Sequence, residues 1–207
     1  MTMNKAHSPV HTTRILKGKT WLFGDNINTD IIIPFRFKSR TNDPHEMAKY
    51  AMYGLDADFH KKISNGDIIV AGRNFGGGSS REQAPVALKY AGITAVVAES
   101  FARIFYRNAF TIGLPAIEIP EIEEKVNQGD ELKIDIIKFT VENSRTKDIF
   151  QAQKVPEFMQ LCFMLFCYFL IFCSNFFKLL FRFVLCYSEI RYIDHYSLQI
   201  REKYKTH

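Results

Sequence analysis

The strongest candidate for chemistry in this chain is residues 76–81, which run Gly-Gly-Gly-Ser-Ser-Arg. They follow an apolar run at residues 66–70, which is typical of a buried strand, and they precede a predicted helix. Glycines at such a junction let the backbone approach a ligand, and the free N–H groups of the next helix attract a carboxylate or phosphate. The spacing therefore predicts an anion site beside Ser79, Ser80 and Arg81.

The same serines also fit a purely structural interpretation. Ser79 with Glu82, and Ser80 with Gln83, have the spacing of a capping box. In that motif the serine accepts a hydrogen bond from a helix amide, and the acid or amide three residues later reaches back. Local sequence alone favours this capping interpretation over a ligand site.

The serines belong to the first of three motifs that follow one another along the chain. Residues 78–82 are Gly-Ser-Ser-Arg-Glu, residues 84–88 are Ala-Pro-Val-Ala-Leu, and residues 100–108 are Ser-Phe-Ala-Arg-Ile-Phe-Tyr-Arg-Asn. In order and spacing they resemble the swivel domain of the aconitase superfamily. Within that superfamily the chain is most similar to the separate small subunits of 3-isopropylmalate dehydratases, from near Ile15 to about Gln160.

This resemblance implies an α/β fold, a swivelling three-layer β/β/α domain. It also implies one subunit of a hydro-lyase of leucine biosynthesis, which isomerises 2-isopropylmalate and 3-isopropylmalate by dehydration and rehydration. Ser79 is then the base that removes a proton next to a carboxylate, while Ser80 and Arg81 hold substrate carboxylate and Gly78 lies against the substrate. Two positions depart from the family pattern, which usually has another residue, often cysteine, at Gly77 and histidine at Gln83.

Further substrate-binding residues are implied upstream. Residues 26–30 match an Asn-x-x-Thr-Asp motif that, in the resembling family, carries the aspartate at Asp30 into the active site. Residues 35–43 form a predicted polar loop, and the equivalent loop in the family lies over the substrate and selects its variable group. The resemblance therefore assigns Arg36 and Arg40 to substrate binding.

Arg40 keeps alternatives to isopropylmalate open. A guanidinium pairs well with a carboxylate, which an isopropyl group does not offer. A homoaconitase-type or dimethylmalate dehydratase-type small subunit is one alternative. Another is a non-catalytic module whose glycine turn binds an anionic metabolite, and charge alone also fits a solvated basic loop.

The resemblance also implies a partner. Dehydration needs a Lewis acid on the departing hydroxyl, and the family supplies it with a [4Fe–4S] cluster held by three cysteines. All four cysteines of this chain lie between residues 162 and 186, so residues 1–160 contain none. We therefore expect no metal site in this domain, no cofactor of its own, and a large subunit that carries the cluster. The substrate is a small hydroxy di- or tricarboxylic acid.

Composition adds exclusions and a domain organisation. A formal net charge of +5 over 207 residues does not favour nucleic-acid binding. The sequence predicts a flexible extension at residues 1–20, the swivel domain at 21–160, and an atypical Phe- and Cys-rich tail at 161–207. Residues 158–177 contain no charged residue, but only 161–173 are strictly apolar, which is short for a membrane span. We interpret the tail as aberrant sequence, with a membrane anchor as the alternative, and expect a cytoplasmic protein.

The elements that position these residues are predicted from pattern and caps. A helix begins after Asp43 and its segment ends at Gly54, and the helix after the glycine turn begins close before Pro85 and ends at Gly92. Other predicted elements are a helix at 103–110 and strands at 93–98, 114–119, 131–137, 139–142 and 149–152.

Overall fold

The computed structural model describes residues 15–38, 41–79, 81–136 and 138–153. Their seven strands are β1 Ile15–Leu22, β2 Ile68–Ala71, β3 Ala95–Ala98, β4 Ala116–Glu118, β5 Glu131–Asp135, β6 Thr140–Asn143 and β7 Ile149–Gln151. The helices are α1 Thr29–Ile32, α2 Phe35–Lys38, α3 Pro44–Ala48, α4 Phe59–Lys62, α5 Gln83–Ala91, α6 Arg103–Thr111 and α7 Ile122–Lys125.

All seven strands belong to one mixed sheet in the order β4-β3-β2-β1-β5-β6-β7. The β1–β4 half is parallel and the half from β5 to β7 is antiparallel. Strand β1 joins the two halves, since it pairs parallel with β2 and antiparallel with β5. This combination makes a mixed half-barrel and requires β1 to lie at its centre.

The two halves of the sheet share a hydrophobic core. Ile68 and Val70 of β2 belong to the same buried cluster as Leu132 and Ile134 of β5. Since side chains alternate between the two faces of a strand, Ile69 points to the opposite face, and it is also fully buried. The buried faces of α5 and α6 provide the apolar side chains on the helical side. These layers confirm the predicted three-layer β/β/α architecture.

Helix ends follow the capping signals of the sequence. The Asp43 side chain accepts a hydrogen bond from the His45 amide, and Pro44 is the first residue of α3. Gly92 ends α5 with φ 112°, and its N–H donates to the carbonyls of Leu88 and Lys89. Both caps were predicted, because Asp, Pro and Gly each have a local reason for their position.

The predicted flexible extension through Thr20 is wrong for residues 15–20. These residues belong to β1, and Ile15 to Lys19 pair with β5 from Asp135 back to Glu131. This strand was not predicted, because the segment is rich in cations and its pairing partner β5 is distant in the sequence. Residues 1–14 lie outside the described residues.

Four helical turns also differ from the prediction. Residues 35–38 form α2 instead of beginning an irregular loop, and α1, α4 and α7 were not predicted. Each is a single turn, too short to create a recognisable apolar period. Within the described ranges, no helix is long and apolar enough to cross a membrane. The tail at 161–207, and the boundary before it, lie outside them.

Candidate active site

Gly78, Ser79 and Arg81 lie on a segment that leaves the carboxyl end of β2, and Asp30 follows a segment that leaves the carboxyl end of the neighbouring parallel strand β1, the usual ligand position in α/β folds. One segment connects β1 to α1 and the other connects β2 to α5. Backbone hydrogen bonds join them: the Gly76 amide donates to the Ile27 carbonyl at 2.6 Å and the Thr29 amide to the Gly77 carbonyl at 2.8 Å. The two segments therefore form one structural unit, although they are about fifty residues apart in the sequence.

The glycine turn requires glycine at two of its three positions. Gly76 has φ 79°, and a Cβ there would overlap the ring of Phe105. Gly78 has φ 97°, and its Cβ would lie 3.3 Å from Thr29 Oγ1. Phe105 is buried and packs edge-on against Phe75, with ring centroids 5.2 Å apart. The predicted positive φ angles are thus present at Gly76 and Gly78, and the turn lies directly on an aromatic cluster.

Ser79 is exposed and does not cap α5. Its carbonyl accepts a hydrogen bond from Thr29 Oγ1 at 3.3 Å. Helix α5 begins only at Gln83, and its N-cap residue Glu82 makes no side-chain capping bond. The capping interpretation is therefore not realised for Ser79 with Glu82. Ser80 lies outside the described residues, so its pairing with Gln83 stays a prediction.

Arg81 and Asp30 form a bidentate ion pair at the centre of the site. The two terminal nitrogens of the Arg81 guanidinium donate one each to the two carboxylate oxygens of Asp30, with Nη2 to Oδ2 at 3.0 Å. Nη1 also donates to the Ile33 carbonyl at 3.5 Å, and the guanidinium lies 5.8 Å from the Phe35 ring centroid. Arg81 is buried, whereas the Asp30 side chain is 58% exposed. The structure thus brings Asp30, Gly78, Ser79 and Arg81 onto one joined unit.

Asp30 is positioned by the local chemistry of its own motif. It is the second residue of α1, and Asn28 caps that turn by accepting a hydrogen bond from the Ile31 amide. Thr29 is buried and donates to the Ser79 carbonyl, as described above. The Asn-x-x-Thr-Asp motif therefore supplies a cap, a link to the glycine turn and the carboxylate that pairs with Arg81.

The other two predicted substrate-binding residues are less well defined by the structure. Arg36 is exposed on α2, where its guanidinium lies 4.7 Å from the ring centroid of Phe37 and 5.4 Å from that of Tyr53. These contacts hold it against aromatic rings. Arg40 lies outside the described residues, so its assignment stays a prediction.

A second ion pair flanks the unit. Arg73 donates from Nη2 to Asp25 Oδ2 at 2.9 Å and from its backbone amide to Oδ1 at 2.6 Å. The backbone hydrogen bond, followed by the side-chain one, lowers the pKa of Asp25. Glu123 lies close by, because a Cβ at Gly72 would meet both of these carboxyl groups. Burial, followed by the negative charges of Asp25 and Glu99, raises the pKa of Glu123.

Sequence reasoning missed an amide pair in this unit. Asn26 and Asn74 both have positive φ, and Asn74 Nδ2 donates to Asn26 Oδ1 at 3.0 Å. Asparagine is one of the few residues other than glycine that tolerates this conformation, so each was visible as a turn residue. Their contact was not, because it joins positions 48 residues apart.

The part of the chain that the structure describes contains no group of three or more His, Cys, Asp or Glu side chains that could hold a metal ion. The four cysteines lie outside that part. The donor set around Ser79 is one serine, one arginine and one aspartate already paired to it. Such residues suit a carboxylate ligand better than an iron–sulfur cluster.

Comparison with known proteins agrees with this geometry. Residues 23–122 match the model of the aconitase C-terminal domain. The isopropylmalate/citramalate isomerase small subunit of Methanocaldococcus jannaschii is 54% identical over 145 residues, which cover 70% of this chain and 86% of that protein. The 3-isopropylmalate dehydratase small subunit of Nautilia profundicola is 53% identical over 146 residues, which cover 70% and 87%.

A solved structure gives the same result. The crystal structure of 3-isopropylmalate dehydratase from Methanocaldococcus jannaschii matches with a TM-score of 0.66 and 44% sequence identity, covering 70% of this chain and 86% of that one. The half-barrel with its glycine turn defines a swivel domain of the aconitase type. Within that class, the chain belongs to the family of 3-isopropylmalate dehydratase small subunits. The family predicted from the sequence motifs is confirmed.

Proposed function

We propose that this chain is the small subunit of a hydro-lyase that interconverts 2-isopropylmalate and 3-isopropylmalate by removing and re-adding water, a step of leucine biosynthesis. The observation that carries the proposal is the buried Arg81 guanidinium, held by Asp30 beside the exposed Ser79 of the glycine turn. Relatives 50–54% identical over 70% of the chain are named 3-isopropylmalate dehydratase or isopropylmalate/citramalate isomerase small subunits. A cytoplasmic location stays a prediction.

Arg81 binds a substrate carboxylate in this proposal. A guanidinium has five N–H groups, and three are used by Asp30 and the Ile33 carbonyl, so two have no partner in the described part of the chain and remain for a ligand. Because Arg81 is 9% exposed, a carboxylate that reaches it is held where water screens charges weakly. Asp30 fixes the plane of the guanidinium and so sets the direction of those two N–H groups.

Ser79 acts as the base. The proton to be removed lies on a carbon next to a carboxylate, and the serine oxygen must carry negative charge before it can accept that proton. Nearby N–H groups of the turn and the charge of Arg81 favour the ionised form. Gly78, with φ 97°, lets the turn adopt a backbone conformation that residues with a Cβ rarely take. Ser80 is assigned to carboxylate binding with Arg81, as the resemblance implies.

The reaction also requires activation of the departing hydroxyl. A [4Fe–4S] cluster supplies a Lewis acid for that hydroxyl in this superfamily, and we assign it to a large partner subunit. The relatives' description as small subunits supports such a partner. This chain contributes substrate orientation and the proton acceptor.

Reconstitution with the large subunit from the same organism tests the proposal. The loaded complex should interconvert the two isopropylmalates, and neither subunit should do so alone. Ser79→Ala should abolish turnover, while complex assembly persists and the free energy of unfolding changes by less than about 0.5 kcal/mol, because the exposed Ser79 side chain caps no helix.

Ser144→Ala is the matched control. Its buried hydroxyl, in the turn between β6 and β7, has no hydrogen-bond partner among the described residues, so turnover should be unchanged. Turnover by Ser79→Ala at the wild-type rate would exclude Ser79 as the base. Turnover by the isolated chain would contradict the two-subunit proposal.

A further inference from the structure

Two asparagines hold the site-bearing segments together through an unusual contact. Asn26 has φ 59° and Asn74 has φ 57°, and their side-chain amides are joined by the 3.0 Å hydrogen bond from Asn74 Nδ2 to Asn26 Oδ1. Both residues are exposed. Their conformation is therefore not the result of burying side chains in the core.

Such strain requires a reason. Backbone in the left-handed region is less favourable for asparagine than for glycine, and it persists where the surrounding structure imposes it, often at functional sites. Here the backbone amide of each asparagine also donates a hydrogen bond. The Asn26 amide donates to the Arg73 carbonyl at 2.7 Å, and the Asn74 amide donates to Ser100 Oγ at 3.0 Å.

The amide pair lies at the base of both functional segments. Asn26 precedes Asp30 by four residues, and Asn74 precedes Ser79 by five. The amide of Asn74 also lies against the glycine turn, because a Cβ at Gly77 would be 3.2 Å from both of its terminal atoms. The Asn74 side chain therefore lies next to the turn, two residues before Ser79.

We infer that Asn26 and Asn74 are positioning residues for the dehydration reaction. The hydrogen bond between their side-chain amides sets the register between the segment that carries Asp30 and the turn that carries Ser79. It thereby aligns the Ser79 oxygen with a substrate whose carboxylate is held by Arg81. This inference rests on the proposed function, and neither asparagine touches the reacting atoms.

The inference predicts an effect on kcat separate from KM. Carboxylate binding depends on Arg81 and Asp30, which keep their own ion pair when the hydrogen bond between the two asparagines is lost. Alignment of Ser79 depends on the register of the turn. Loss of this hydrogen bond should therefore lower kcat more than it raises KM.

Glycine substitutions in the reconstituted complex test this, because glycine tolerates positive φ and removes only the amide. Asn26→Gly and Asn74→Gly should each lower kcat about 10-fold or more, with KM changed by less than about 3-fold. The double variant should be no slower than the slower single variant, because both remove one shared bond. Asn26→Asp keeps the acceptor oxygen and should retain wild-type kcat.

Lys147→Gly is the matched control. Lys147 is exposed and has φ 67° in the turn between β6 and β7, so this change relieves the same strain away from the site. It should leave kcat unchanged. Asparagine variants with wild-type kcat, or with kcat losses that simply add, would overturn the inference while leaving the role of Ser79 intact. A wild-type complex that does not turn over isopropylmalate would overturn both the proposed function and this inference.

Discussion

An arginine is paired with an aspartate through two hydrogen bonds beside each half of the sheet, but the buried partner differs between the two pairs. At the site, the Arg81 side chain is 10% exposed and its partner Asp30 is 58% exposed. In the antiparallel half, Arg145 lies in the turn between β6 and β7 and is 53% exposed, whereas its partner Asp130, directly before β5, is 6% exposed. The arginine is thus the buried partner in one ion pair, and the aspartate is the buried partner in the other.

The difference indicates what each pair is for. Asp130 accepts hydrogen bonds from the Asn127 amide, the Asn143 side chain and two nitrogens of Arg145. Its lone pairs are satisfied by its own chain, which is what a buried structural carboxylate requires. Among the described residues, Arg81 instead keeps N–H groups in excess of its contacts. A buried cation with spare donors suits an anionic ligand, whereas a saturated buried anion suits stability.

The largest effect should come from breaking the site pair. Arg81→Met keeps an apolar stem of similar length but removes the guanidinium. Turnover in the reconstituted complex should fall roughly 100-fold or more, the effect of losing a charge-assisted bidentate bond to the substrate. The free energy of unfolding should change by less than about 1 kcal/mol, because the exposed Asp30 is hydrated when its partner is lost. Steady-state kinetics and urea denaturation measure the two quantities.

The matched variant in the other half should behave in the opposite way. Arg145→Met leaves the buried Asp130 carboxylate without its cation, which should lower the free energy of unfolding by about 2 kcal/mol. Turnover of the folded complex should be unchanged, since Arg145 is far along the chain from the site and belongs to the antiparallel half. Equal loss of stability in the two variants would mean that both pairs are structural.

The smallest effect is a pH dependence of the free energy of unfolding to which the buried carboxylate of Asp130 contributes. The hydrogen bonds from Arg145 lower the pKa of Asp130 well below its ordinary value. Its folded pKa is therefore below the unfolded value of about 3.9. The stability that it contributes is present above that pH and is lost as pH falls further towards the folded pKa. Asp130→Asn should flatten this acid limb in urea denaturation of the isolated chain. A limb as steep as that of the wild type would show that other carboxyl groups cause it.

Local signals in the sequence were sufficient for much of the fold. The β-branched runs of β2 and β3, the Asp43 and Gly92 caps, and the start of α5 near Pro85 depend on interactions within a few residues. The positive φ angles at Gly76 and Gly78 are of the same kind. These features were predicted because each residue type has an intrinsic conformational preference that the tertiary structure then uses.

The sequence by itself therefore determined strands β2 to β7, helices α3, α5 and α6, the glycine turn and, through the order of its motifs, the family. Only the tertiary structure decided that β1 begins at Ile15, that Arg81 pairs with Asp30 and that Asn26 contacts Asn74. These features join positions roughly fifty or more residues apart, with strand β5 about a hundred residues after β1. Local preference carries no information about such pairings, because their energy arises only when the sheet brings the segments together.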